Sequence, residues 1–334
     1  MMKQKRSTIK QVAEKAGVSP ATISRYLNNS RSFPDDVKER ISNAIKDLHY
    51  APNASARSLK QNKTQIIGMI IPDMVVYTHI CKIIEHILYD HHYSLMIATS
   101  DYDSQKEYQL LQKLFQQGVD GILLASCGQN NEYISFIRDQ GVPIILFDRY
   151  LSTLPDMNYV LEKGVECVRK FTEYAISQGH RKMAYLQGPS NELVSTERFD
   201  EFRRILGAHG IPENPRFYYK QVMTQEEIKK ASNDILDHLD EVTIVITTNA
   251  KQIKHFVMTA NERGIRIPDD ISITGFGLDE YRTLFPYPMT CIIQNHREIG
   301  KQCAKMMLEL IDDEAPQPKK ILIDSDFFIG SSVK

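Results

Sequence analysis

The sequence predicts an all-α helix-turn-helix head with a short hinge helix, followed by a two-lobed α/β body of doubly wound parallel sheets. Three observations carry this. Residues 8–28 hold two short capped apolar-periodic segments joined by a glycine. From residue 65 onward, short apolar runs alternate with longer amphipathic stretches, the pattern of βα repeats. The charge is also uneven: residues 1–62 carry twelve Lys or Arg against five acids, a net of +7, so the remainder carries −8 of an overall −1. A small basic module on an acidic body is the layout expected when only the first segment meets a polyanion.

Length and composition fit this division. The 334 residues are enough for two or three domains, and 42% hydrophobic with 25% charged residues is ordinary globular composition. No apolar run approaches the roughly 20 residues of a membrane span, and the basic start lacks the apolar core of a secretion signal, which predicts a cytoplasmic protein. The five cysteines (Cys81, Cys127, Cys167, Cys291, Cys303) show no C-x-x-C spacing and read as buried thiols, with no disulfide framework, zinc site or other metal.

Element by element, Thr8 and Gln11 form a capping box, so a helix starts at Ile9 with Val12, Ala13 and Ala16 on one face. Gly17 suits a left-handed C-cap. Ser19 and Pro20 then supply an N-cap and a preorganised first residue for a second helix, whose Ile23 and Leu27 face inward. A third helix runs from about Pro34 to Leu48, its Val37, Ile41, Ala44, Ile45 and Leu48 closing a minimal core. The second of two helices joined in this way fits the major groove of DNA. Asn53 can cap a helix through Leu59, but a helix that short is marginal alone in water.

In the body, strands fall at Gln65–Ile71, Ser94–Ala98, Val119–Leu124 and Pro143–Phe147, with helices near 78–90, 104–117 and 130–140. A second series has strands near Met183–Gln187, Phe217–Val222, Val242–Thr247 and Ile271–Gly275, and helices near 162–178, 196–208, 225–239 and 250–263. Two doubly wound units place a ligand crevice at the carboxyl ends of their strands.

The residues Thr8-Ile-Lys-Gln-Val-Ala-Glu-Lys-Ala-Gly-Val-Ser19, Ala21-Thr-Ile-Ser-Arg-Tyr-Leu-Asn28, Tyr50-Ala-Pro-Asn53, Ala56-Arg57 and Leu59 resemble the LacI/GalR family of bacterial transcription regulators. The likeness continues more loosely through Val119-Asp-Gly-Ile-Leu, Phe147-Asp-Arg149, Gln178-Gly-His-Arg-Lys-Met-Ala, Arg198, Ile267-Pro-Asp-Asp-Ile-Ser-Ile-Thr-Gly-Phe276 and Ile293-Gln294. It implies a periplasmic-binding-protein-like body that dimerises and presents two heads to a pseudo-palindromic double-stranded operator. It further implies that Pro20, Ala21 and Arg25 read bases, Arg25 being able to meet a guanine bidentately. Thr8, Ser19, Thr22, Ser24, Asn28, Asn53 and Arg57 are the remaining expected DNA contacts, several suited to phosphate oxygens, and Leu59 the expected minor-groove wedge.

The implied domains are 1–50 for the head, 51–63 for the hinge and 64–334 for the core. Crossovers near 149–163, 288–295 and 323–327 divide the core into a first lobe of about 64–150 and 294–322 and a second of about 163–288 and 325–334. The implied effector residues are Asp148, Arg198 at the start of a second-lobe helix, Asn249 and Gln294. The sequence departs from the family pattern at Ala250, at Gly277 and over Val75-Val76-Tyr77-Thr78, so two usual acidic contacts are missing. With Val75, Val76 and Ala125 making the cleft apolar, neutral monosaccharides are expected to bind poorly, and an anionic sugar derivative paired with Arg198, another small metabolite or a protein corepressor is expected instead. No cofactor is called for. The alternative, an α/β sugar-binding protein or enzyme without a DNA role, lacks support: none of the nucleotide-binding, metallohydrolase or serine-nucleophile motifs is present.

Overall fold

A computed structural model describes residues 7–27, 31–50, 63–188, 193–312 and 317–334. The chain divides into two compact units, Met1–Thr64 and Gln65–Lys334.

In the first unit α1 spans Ile9–Ala16, α2 Pro20–Leu27 and α3 Asp35–Asp47. Both halves of the Thr8–Gln11 capping box form, and Gly17 closes α1 with φ +66° while its N–H reaches the Ala13 and Glu14 carbonyls. Ser19 Oγ accepts from Thr22 N at 3.1 Å, so α2 starts at Pro20 as its cap dictates. α3 begins at Asp35 rather than Pro34, and Asp35 and Asp36 place negative charge on its first turn. The core is small: Val12, Ala13, Ala16, Ile23, Ile41 and Ala44 are buried, with Leu27, Val37, Ile45 and Leu48 packed partly against them.

The second unit contains two six-stranded sheets. Its strands are β1 (Ile66–Ile71), β2 (Ser94–Thr99), β3 (Gly121–Leu124), β4 (Ile144–Phe147), β5 (Asn158–Glu162), β6 (Met183–Leu186), β7 (Tyr218–Tyr219), β8 (Ile244–Thr247), β9 (Ser272–Gly277), β10 (Cys291–Ile293), β11 (Lys320–Ile323) and β12 (Asp326–Phe328). Its helices are α4 (Met74–Asp90), α5 (Ser104–Gln116), α6 (Asn131–Asp139), α7 (Gly164–Ser177), α8 (Leu193–Ala208), α9 (Gln225–Leu236), α10 (Ala250–Glu262) and α11 (His296–Asp312). The strand orders are β11-β5-β4-β3-β1-β2 and β12-β10-β9-β8-β6-β7. Pairing is parallel except between β10 and β12. Each sheet buries both faces. The first lies between a layer holding α4 and α11 and one holding α5 and α6. The second lies between α9 with α10 and α7 with α8. Burial on both faces explains why their strands read as continuous apolar runs.

Several elements differ from the sequence expectation. The stretch 149–163, expected as a crossover, contains β5, which sits inside the first sheet between β4 and β11. Tyr159, Val160 and Leu161 are all buried there, but three apolar residues after a Pro- and Asp-containing loop give too short a signal to separate from a connection. The chain therefore crosses only after Glu162, and the first lobe extends to that residue rather than to about 150. Similarly, β10 joins the second sheet beside β9, so the second lobe runs to Ile293 and crosses between Ile293 and His296. The third crossover lies between Ile323 and Asp326. The strand expected over Phe217–Val222 shrinks to two residues, preceded by a 3-10 turn at Pro215–Phe217 and followed by Gln221 at φ +57°. α4 starts four residues early because Asp73 Oδ1 accepts from Val75 N at 2.7 Å.

Candidate functional site

On the head, Pro20, Ala21 and Arg25 are exposed, while Ile23 on the opposite side of α2 is buried. Ala21 and Arg25 are four residues apart and share a helical face. Thr22 and Ser24 are half-buried and Thr8 and Ser19 exposed. Two hydroxyls are already engaged in capping: Thr8 Oγ1 meets Gln11 Oε1 at 3.1 Å and Ser19 Oγ meets Thr22 Oγ1 at 2.9 Å. Asn28, Asn53, Arg57, Leu59 and the hinge lie outside the described residues.

In the body, Asp148, Arg198, Asn249 and Gln294 line one cavity between the lobes, of about 90 Å³. Asp148 follows β4 at φ +64° and accepts a hydrogen bond from the Tyr77 hydroxyl. Burial and the neighbouring Asp148 push the Tyr77 phenol well above its ordinary range, so it stays a protonated donor. Asn249 Oδ1 caps α10 by accepting from Gln252 N at 3.0 Å, which commits one end of its amide to structure. Gln294 Nε2 donates to Glu162 Oε2 at 3.2 Å. His296, at the start of α11, also lines the cavity, and burial lowers its pKa. His79 of α4 meets Glu280 of the 3-10 turn Asp279–Arg282 at 2.7 Å, joining the two lobes.

Arg198 departs from expectation. α8 begins at Leu193, so Arg198 lies in its second turn rather than at its start. Nor is its charge open: Nη2 lies 3.1 Å from Glu162 Oε2, Nη1 donates to the Thr248 carbonyl at 3.3 Å, and the guanidinium carbon sits 3.9 Å from the centroid of Phe276. The pairing with a ligand anion expected from the sequence meets an internal carboxylate that already occupies that place. The apolar lining also fails in part. Val76 lines the cavity, but Val75 is 76% exposed and Ala125 is buried in the first-lobe core. Tyr77, Tyr102, Arg149, Ser195 and Thr248 make the walls polar instead. Neither Ala250 nor Gly277 is among the lining residues; a Cβ on Gly277 would lie 2.5 Å from Cys291 Sγ.

Sequence reasoning missed Glu162, Tyr77, Ser195 and His296. Glu162 closes a strand whose sequence looks like a connection, and no spacing links it to Arg198 or Gln294.

A helix-turn-helix head on a two-lobed α/β body with a polar cleft defines a ligand-responsive regulator of DNA. The comparisons with known proteins agree. Residues 8–53 match the family of bacterial regulatory proteins, lacI family, and residues 64–331 match the periplasmic binding proteins and sugar binding domain of the LacI family. The chain belongs to the LacI family of bacterial transcription regulators. The transcriptional repressor PurR of Mannheimia succiniciproducens is 27% identical over 331 residues, covering 98% of this chain and 99% of its own. The probable regulator EndR of Paenibacillus polymyxa is 29% identical over 315 residues, covering 92% of each. Among solved structures, a LacI-family regulator from Silicibacter pomeroyi aligns with TM-score 0.82 at 22% identity over 98% of this chain and 99% of its own. The lac repressor bound to ONPG in its repressed state aligns with TM-score 0.82 at 21% identity, over 98% of this chain and 100% of its own. The two structures share the fold.

Proposed function

We propose that this regulator is a repressor that binds a pseudo-palindromic operator as a homodimer, and that a small carbohydrate-related effector in the interlobe cleft, or a corepressor, sets its DNA affinity. The proposed division is a head of 1–50, a hinge of 51–63 and an effector and dimerisation core of 64–334. The protein would act in the cytoplasm by binding alone, without a chemical step; among the described residues no helix is long and apolar enough to cross a membrane. The observation that carries the reading is α2, capped by Ser19, buried through Ile23 and exposing Pro20, Ala21 and Arg25 together. Pro20 and Ala21 bring no side-chain hydrogen-bond donors, so Arg25 is the base reader, while Thr8, Ser19, Thr22, Ser24 and Asn28 position the head on phosphates. Asn53, Arg57 and Leu59 are assigned to the hinge contact in the minor groove. Asp148, Arg198, Asn249 and Gln294 are assigned to the effector.

Arg25→Ala is expected to cost about 1–3 kcal/mol on the cognate operator and to relax preference at one base pair in each half-site. Binding to a scrambled duplex should change little. Fluorescence anisotropy on both duplexes at two salt concentrations checks this; an equal loss on both would make Arg25 a phosphate contact and remove it from base reading.

A further inference from the structure

Glu162 ends β5 at the first crossover with its side chain only 1% exposed. Three partners converge on it from distant parts of the chain. Arg198 Nη2 of α8 lies at 3.1 Å, Gln294 Nε2 on the second crossover lies at 3.2 Å, and the Ser325 hydroxyl on the third crossover donates to Oε1. One buried carboxylate thus touches a residue on each of the other two crossovers and also holds the guanidinium that lines the cleft. Arg198 is held on its remaining sides. Thr248 takes Nη1, the Phe276 ring covers one face, and Gly164 at the start of α7 stands so close that a Cβ there would lie 2.7 Å from Nε. The guanidinium cannot swing toward a ligand without breaking these contacts.

A guanidinium already compensated by a buried carboxylate attracts a second anion weakly. A ligand carboxylate or phosphate at Arg198 would stand beside Glu162 in a low-dielectric site, where like charges repel strongly. An uncharged hydroxyl meets no such repulsion and can accept one of the N–H donors that Thr248 and Glu162 leave over. Asp148 lines the same cavity and supplies an acceptor for a hydroxyl proton. Arg149 and Lys251 also line it.

The geometry points to Glu162 as the specificity-determining counter-ion of Arg198, which makes this end of the cleft a site for an uncharged, hydroxyl-bearing part of the effector and excludes anions from it. This rests on the reading of the cleft as the effector site, and it reverses the pairing with an anionic sugar that the sequence alone favours.

Inorganic phosphate is the probe, titrated calorimetrically into the full chain. Wild type and Arg198→Gln should bind it equally weakly, because Arg198 contributes nothing to anion binding while Glu162 is charged. Glu162→Gln should bind phosphate at least tenfold more tightly, and Glu162→Gln with Arg198→Gln, which removes the cation, should lose that gain. Glu162→Asp, which keeps the charge, should stay at the wild-type level, whereas a merely steric role would make Asp and Gln behave alike. The assignment is overturned if wild type binds phosphate tenfold better than Arg198→Gln, if Glu162→Gln gains nothing, or if Glu162→Asp gains as much. Should Glu162→Gln fail to fold by circular dichroism, the comparison of wild type with Arg198→Gln still decides. Loss of operator-specific binding by the wild-type chain is a separate outcome, which would remove the regulator reading and leave the phosphate result standing.

Discussion

Ile23→Ala is expected to unfold the helical head and abolish operator binding while the melting transition of the α/β body stays in place. Ile23 is the one fully buried residue of α2, and three of the five buried residues around it are alanines. Truncating a buried isoleucine costs about 2–5 kcal/mol, because the transfer energy is lost and the cavity does not close fully. A single core in a domain of this size rarely supplies more than about 3–5 kcal/mol. The loss therefore consumes the stability of the head, and α2 loses the anchor that holds Ala21 and Arg25 outward. Ile23→Val, at about 0.5–1.5 kcal/mol, should keep the head folded and the operator bound. Calorimetry on the full chain, together with operator binding, reads both consequences. Full operator affinity in Ile23→Ala would mean that the head draws its stability from elsewhere.

Arg198→Ala is expected to destabilise the body by about 3–5 kcal/mol at neutral pH, the cost of leaving a buried carboxylate without its partner. Burial already pushes the Glu162 carboxyl above its ordinary value of 4.5, and Arg198 is the largest influence pulling it back. A carboxyl whose folded value lies above its unfolded value binds its proton more tightly when folded. Its contribution to stability is therefore present at low pH and lost as the pH rises through the folded value. Removing Arg198 moves that value further up, so the deficit of the variant should be largest at neutral pH and shrink as the pH falls toward the usual carboxylate range. Adding Glu162→Gln to Arg198→Ala should recover most of the loss. The chain has no tryptophan, so urea unfolding is best followed by far-ultraviolet circular dichroism. A deficit that is independent of pH, or that persists in the double variant, would show that lost packing on Phe276 and not the stranded charge is responsible.

What was legible in the sequence follows from the range of each signal. The Thr8–Gln11 box, the left-handed Gly17 and the Ser19-Pro20 start are local, each fixed by residues within four positions, and the structure forms each where the sequence puts it. The long strands of the body were readable because burial on both faces makes them continuous apolar runs. β5 and β10 were not, because three apolar residues are too short a run to read as a strand, and each is fixed by pairing with a strand on either side of it in its sheet. Asp148, Arg198, Asn249 and Gln294 were placed by resemblance, and they do line one cavity. Resemblance said nothing of Glu162. Its partners lie 36, 132 and 163 positions away, a constellation that only the meeting of the three crossovers assembles. The expectation that Arg198 pairs with a ligand anion arises for that reason: the sequence does not show the carboxylate that faces it.

The central claim, that α2 reads a specific DNA sequence as one half of a symmetric pair, is tested most directly by selecting bound fragments from genomic DNA with the full chain. The account predicts enrichment of one pseudo-palindromic site whose half-site centres are separated by one helical turn of DNA or a multiple of it, with Arg25→Ala broadening the consensus at one symmetric pair of positions. Recovery of fragments with no shared sequence, or of a site without two-fold symmetry, would contradict it.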